Sequence, residues 1–169
     1  MRRTLSLSVV CLVALAAGCG DEKKSAAEDS GKPPENMCEA VAPAVPEDWG
    51  LTKTSAPKSK AKTQCTLADE SGKTTLVVTV QQPKSGGSVD AALQDLCSTF
   101  IGAPLEGDEE KCTKAGPMKL DGSPAELQRG VALEKPEAVL WVSYRTNNPD
   151  VAAGAEDVLD DVEDAVSKD

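Results

Sequence analysis

The sequence predicts an α+β domain, an antiparallel sheet of about five strands with helices packed on one face. Three observations lead there. Apolar runs of period two, joined by turn residues, mark hairpins at residues 63–81 and 125–145. Apolar stripes of helical period lie at 89–101 and 151–166. The patterns follow one another as helix, two strands, helix, three strands, helix, which is the order of hairpins overlaid by helices and not of repeated βαβ units.

The chain opens on Arg2 and Arg3, followed by a mostly apolar, uncharged run from Leu5 to Ala17 and then Gly18-Cys19. A basic start, a short apolar stretch and small residues at the end form a secretory signal. The cysteine at the cut gives it the form of a bacterial lipoprotein signal. That resemblance implies a diacylglyceryl group on the Cys19 sulfur and cleavage between Gly18 and Cys19. Cys11 does not fit, because bulky Val9 and Val10 precede it. The apolar run is about thirteen residues, too short to cross roughly 30 Å of hydrocarbon as a helix. Residues 1–18 are therefore expected to be the leader, and the product to be held at the cell membrane by lipid, facing the extracytoplasmic side.

Residues 19–35 are the lipidated cysteine and a charged, proline-bearing tether, with too little apolar surface to form a core. Residues 36–169 are one domain. After cleavage the chain carries 16 basic and 28 acidic side chains, a net charge near −12. Nucleic acid repels such a surface, so it is not an expected partner. Histidine is absent, which excludes Ser-His-Asp and Cys-His catalysis and every His-ligated metal. The aromatic set is only Trp49, Phe100, Trp141 and Tyr144, so the core must be built from Val, Leu and Ala.

Four cysteines follow the anchor: Cys38, Cys65, Cys97 and Cys112. An even number in an oxidising compartment reads as two disulfides. Of the three pairings, joining each cysteine to its neighbour (Cys38–Cys65 and Cys97–Cys112) is preferred. A four-thiolate metal site would show close C-x₂₋₄-C pairs, and the spacings here are 27, 32 and 15 residues. No metal or cofactor is expected.

Along the domain, Asn36 is placed to cap a short helix through Cys38, Val41, Ala42 and Val45, broken by Pro43. Residues 52–62 read as a loop. Thr63, Cys65 and Leu67 alternate as a strand. Asp69-Glu70-Ser71-Gly72 turns the chain into Thr74–Gln81, which is rich in β-branched residues. Ser88 starts a helix whose stripe is Val89, Ala92, Leu93, Leu96, Cys97, Phe100 and Ile101. Residues 102–117 read as a loop pinned at Cys112. Three strands are expected at Met118–Leu120, Ala125–Leu133 and Ala138–Arg145, the last two joined at Lys135-Pro136-Glu137. The last strand is largely apolar on both faces, as a central strand is. Asn148-Pro149 opens a terminal helix with Val151, Ala155, Val158, Leu159, Val162 and Val166 on one side.

The lipobox Cys19, the polar tether, the first-helix segment Asn36-Met37-Cys38-Glu39-Ala40 and the hairpin segment Gln64-Cys65-Thr66-Leu67 follow one another along the chain. With the strand Leu76-Val77-Val78-Thr79-Val80 and the amphipathic last helix, the pattern over residues 36–168 resembles actinobacterial lipoproteins of domain of unknown function family 3558. The resemblance implies a Cys38–Cys65 bridge and a PsbP-like α+β sandwich. It implies no activity. Two features depart from the family's pattern: Thr66 stands after Cys65, where Trp often follows closely, and Cys97 and Cys112 form an additional pair.

Several segments invite a chemical reading. Gly72-Lys73-Thr74 matches the end of a phosphate-binding loop, but the glycine needed five positions earlier is Leu67, and strands flank the segment. Asp157, Asp160, Asp161, Glu163 and Asp164 crowd the last helix, which spreads carboxylates around a solvated face and builds no cation cage. Gly107-Asp108-Glu109-Glu110 is too short for an EF-hand loop. Trp141 and Tyr144 are candidates to line a groove between sheet and helix. The expected function is that of a monomeric, non-catalytic binding or accessory domain for an envelope protein or small ligand. The alternative is an envelope hydrolase working through a carboxylate pair, one of them with a raised pKa.

Overall fold

A computed structural model describes residues 34–107, 110–117 and 123–167. The leader with Gly18 and Cys19, Asp108, Glu109 and the strand expected at Met118–Leu120 lie outside the described residues. Among the described residues six strands form one antiparallel sheet, where about five were expected: β1 (Thr52–Ser55), β2 (Lys62–Ala68), β3 (Thr75–Gln81), β4 (Lys111–Gly116), β5 (Ala125–Leu133) and β6 (Ala138–Thr146). Their spatial order is β1-β2-β3-β6-β5-β4. The sheet is thus two three-stranded halves joined where β3 pairs with β6, in the register Val78↔Val142 and Thr79↔Trp141.

β1 and β4 occupy stretches that the sequence reads as loops. Thr52-Lys53-Thr54-Ser55 is exposed throughout, so it carries no apolar period. As an edge strand it is held by its ladder to β2 and by the Thr54 hydroxyl donating to the Thr66 carbonyl at 3.1 Å. In β4 only Cys112 is buried, and its bridge replaces the apolar face that would have identified a strand.

Helices lie on both faces, and this corrects the single helical layer expected. On one face α1 (Met37–Val41), α3 (Pro149–Ala153) and α4 (Ala155–Ser167) cover Leu76, Val78, Val80, Leu140 and Val142. On the other, α2 (Val89–Asp95) and the wider π turns of Leu96–Ile101 cover Cys112 and Val139. The cause is the two-sided apolar character of β6. Ala138, Leu140, Val142 and Tyr144 enter the first cluster and Val139 the second, so burying only one side would leave Val139 and Trp141 in water.

Local signals account for the helix ends. Ser88 Oγ accepts the Ala91 N–H at 3.2 Å and caps α2. Asn36 does not cap α1; its side-chain amide donates to Glu39 instead, at 3.0 Å. Ala42–Ala44, containing Pro43, continues α1 as one 3₁₀ turn, as the broken helix predicted. The terminal helix is divided at Gly154, yet Ala155, Val158, Leu159, Val162 and Val166 are all buried. Each buried Val or Leu contributes roughly 1.5–3 kcal/mol relative to exposure.

Both neighbour pairings of the cysteines are present. Cys38–Cys65 joins α1 to β2 with Cα atoms 5.0 Å apart, and Cys97–Cys112 joins the π turns to β4 with Cα atoms 6.0 Å apart. Beneath α4, Arg129 of β5 is 8% exposed and reaches Asp160 and Glu163.

Candidate functional site

Trp141 and Tyr144 do not share a groove. They are three positions apart on a strand, so their side chains leave opposite faces of the sheet. Tyr144 joins the cluster under α4, and Trp141 packs against the cluster under α2.

Among the described residues the helical layer on the Trp141 side covers half of the sheet. α2 packs on β5 and β6, and the adjoining face of β2 and β3 carries Gln64, Thr66 and Thr79. These three form a polar row, with Gln64 Nε2 donating to Thr66 Oγ1 at 3.3 Å and Thr79 Oγ1 to Gln64 Oε1 at 3.5 Å. At the boundary lies a groove of about 290 Å³. Its apolar wall is Ala91, Ala92, Leu96 and Phe100. Its polar side is Thr79 and Gln81, and Val139 and Trp141 also line it. The Trp141 indole N–H is buried with no hydrogen-bond partner.

Phe100 was expected in the core stripe, and it is 65% exposed. The π turns explain this. The Gly102 N–H reaches the Cys97 carbonyl at 2.7 Å, an i→i+5 bond that widens the turn. Cys97 and Ile101 therefore share the buried side, and Phe100 rotates out beside Trp141. Sequence periodicity assumes 3.6 residues per turn and could not find this residue. The only sequence signal available was the capped start at Ser88, which fixes where the helical phase begins but not where it changes.

Tyr144 is 1% exposed and its ring lies 5.2 Å from that of Trp49. Its hydroxyl is buried beside the Thr146 hydroxyl. The nearby Thr146 hydroxyl is taken by Thr74 at 2.9 Å and by the Asn148 N–H at 3.0 Å. Burial pushes the Tyr144 phenol up to about 12, opposed only in part by Thr146. Tyr144 is the chain's one tyrosine, so phenolate absorbance reports it alone. Titration of the native protein is expected to show no phenolate near pH 10 and a midpoint about two units higher. A phenol whose folded pKa exceeds its unfolded one stabilises the fold fully below pH 10. That contribution falls by about 1.4 kcal/mol per pH unit as pH rises toward the folded value. A native midpoint at pH 10 would refute the burial.

The remaining candidates resolve as follows. Ser71-Gly72-Lys73-Thr74 belongs to the β2–β3 turn. There Gly72 has φ +67° and the Asp69 carboxylate accepts the Lys73 N–H at 2.9 Å. Cys97 and Cys112 are buried and bonded to each other. Burial raises the Glu163 carboxyl, with Arg129 and Lys111 opposing and Asp160 and Asp164 adding to the shift. Glu163 and Asp160 flank Arg129 and do not line the groove. Among the described residues no group of three or more His, Cys, Asp or Glu is placed to hold a metal ion. Among them, too, no helix is long and apolar enough to cross a membrane. Comparison of the chain with protein-family models, curated proteins and solved structures returns no match.

Proposed function

We propose that this chain is a lipid-anchored extracytoplasmic binding domain that works without catalysis, holding a small envelope ligand or a partner's side chains in the Trp141–Phe100 groove. The observation that carries the binding role is the groove itself. A large apolar side chain stands in solvent beside a half-buried indole, in a chain with only four aromatic residues. An isolated exposed Phe is ordinary, but an aromatic pair walling a concave site is what ligand pockets offer. The anchor rests on Leu15-Ala16-Ala17-Gly18-Cys19 and on the short apolar run before it. Two acyl chains on Cys19 would hold the domain stably at the bilayer, where one is marginal.

The resemblance to the family 3558 lipoproteins, with a PsbP-like arrangement of its layers, belongs to the same reading. It is supported by the bridge between the first helix and the first hairpin. The hydrolase alternative gains no support from Glu163, whose neighbours tie α4 to the sheet.

Mass spectrometry of the membrane-extracted protein tests both parts. The denatured mass is expected to equal residues 19–169 plus a diacylglyceryl or triacyl group, rising by about four daltons on reduction of the two bridges. Under native conditions a bound small ligand adds a discrete mass, which Phe100→Ser should abolish or reduce at least fivefold. An unlipidated chain retaining residues 1–18 refutes the anchor. An adduct indifferent to Phe100→Ser refutes the groove.

A further inference from the structure

Between Ser55 and Thr63, in the loop that joins β1 to β2, a strongly acidic chain carries Lys58, Lys60 and Lys62 and no acidic residue. The loop after β3 adds Lys84, and the Gln82 N–H donates to the Ala61 carbonyl at 2.8 Å, which ties the two loops together. The described chain begins at the same corner, where Glu35 lies 3.8 Å from Lys58. We propose that this corner is the domain's contact with the membrane, a lysine surface that seats on anionic lipid headgroups and orients a domain anchored at Cys19.

Three observations carry the assignment. First, the lysines are available. Lys58, Lys60 and Lys84 are exposed and line one open hollow, and among the described residues Lys58 alone of the three has a carboxylate partner, Glu35. Second, strand order sets most of the hollow's acids apart from them. Glu110, Glu134 and Glu137 lie on the β4 and β5–β6 side, across β3 and β6 from the β1–β2 loop, with Lys135 among them, and Asp90 lies in α2. Exposed charges more than about 8 Å apart are largely screened in physiological salt, so the corner acts by its own sign and not by the chain's net charge. Third, the anchor's reach selects this corner. Pro34 stands fifteen positions after Cys19, so it stays within about 50 Å of the bilayer. The surface beside that junction meets the headgroups at the highest effective concentration, and a basic patch beside a lipid anchor adds to its hold. Residues 20–33 carry four acidic and three basic side chains and add little net charge. Lys84 also lines the Trp141–Phe100 groove, so a domain seated this way holds the groove's rim at the headgroup layer.

The assignment rests on the anchor at Cys19, and its test supplies that anchor chemically, so a failure of lipidation and a failure of the lysine corner are read apart. Within residues 19–169 Cys19 is the one cysteine outside the two bridges. Its thiol is coupled to a maleimide lipid in vesicles of phosphatidylcholine, alone or with about one-third phosphatidylglycerol. Acetylation of each lysine by a neutral succinimidyl ester is then followed by mass spectrometry. Lys73, in the β2–β3 turn at the other end of the sheet, is the internal control. On anionic vesicles Lys58, Lys60 and Lys84 are expected to react at least threefold more slowly relative to Lys73 than on neutral ones, and about 0.5 M NaCl should restore their rates. Lys58→Glu with Lys60→Glu, both in an exposed loop, should remove the protection of Lys84. Rates indifferent to lipid charge, equal slowing of Lys73, protection that persists in high salt, or Lys84 still protected in the double variant each overturns the assignment. So does protection by soluble polyphosphate on neutral vesicles that anionic lipid does not reproduce, a result that gives the corner to an anionic polymer.

Discussion

Replacing Cys38 and Cys65 together by alanine is expected to lower the unfolding free energy by about 3–4 kcal/mol. The chain-entropy argument sets the scale, because the bridge closes a loop across 27 residues. The native state adds a local reason. α1 has five residues, too few to be stable as a helix alone, and it reaches β2 through this bond. Cys38 and Cys65 are both buried in the cluster that also holds Met37 and Val41, so freeing α1 loosens that packing too. The Cys97–Cys112 bridge spans 15 residues and should contribute about 3 kcal/mol by the same argument. Together they approach the whole stability of an ordinary domain, about 5–15 kcal/mol. Urea unfolding of the wild-type and the two double-alanine variants measures each term. A midpoint unchanged by removing Cys38–Cys65 would show that α1 is held by packing alone.

Gly130→Val is expected to cost about 3 kcal/mol or more, and Gly130→Ala about 1–2 kcal/mol. A Cβ at Gly130 would lie 3.0 Å from Leu96 Cδ2, 3.2 Å from Cys112 Sγ and 3.2 Å from Ile101 Cδ1. Leu96 and Ile101 can shift, but the sulfur is fixed by its bond to Cys97. A glycine in mid-strand therefore has a packing reason, the close approach of the π turns to β5. The conflict is coupled. In a Cys97→Ala, Cys112→Ala background the sulfur is gone, and Gly130→Ala should cost at least 0.5 kcal/mol less than in wild type, the size expected for neighbouring residues. Additive costs in that double-mutant cycle would place the clash elsewhere.

The legible parts of the fold were those where a residue's environment repeats with the period of its own element. The strand 62–68 alternates, the strands 75–81, 125–133 and 138–146 are runs of apolar and β-branched residues between turns, and the stripe of the last helix is buried residue for residue. The cysteine pairing was legible because neighbour pairs close the shortest loops. The edges were not. β1 has no buried residue and β4 has one, so their strand character resides in ladder bonds that sequence does not record. The second helical layer was half visible: both faces of β6 read as apolar, and the covering helix was known, but not the side on which it lies. The groove was named by one of its true residues, Trp141, and one false partner, Tyr144. Alternation along β6 would have separated them. Phe100 was hidden by a change of helical pitch that leaves no compositional mark.

The join between β3 and β6 has a consequence for the order in which the molecule can be assembled. Each bridge ties a helical segment to one half of the sheet, and the pairing Thr75↔Arg145 between the halves requires residues 70 apart. A chain delivered amino-terminus first into an oxidising space presents Cys65 before Cys97 has arrived. Cys38 then has a single partner on offer among these four, and Cys97 later meets Cys112 under the same condition. Were the chain exported in this way, order of arrival alone would favour the observed connectivity, and both covalent links could be in place before the two halves zip together.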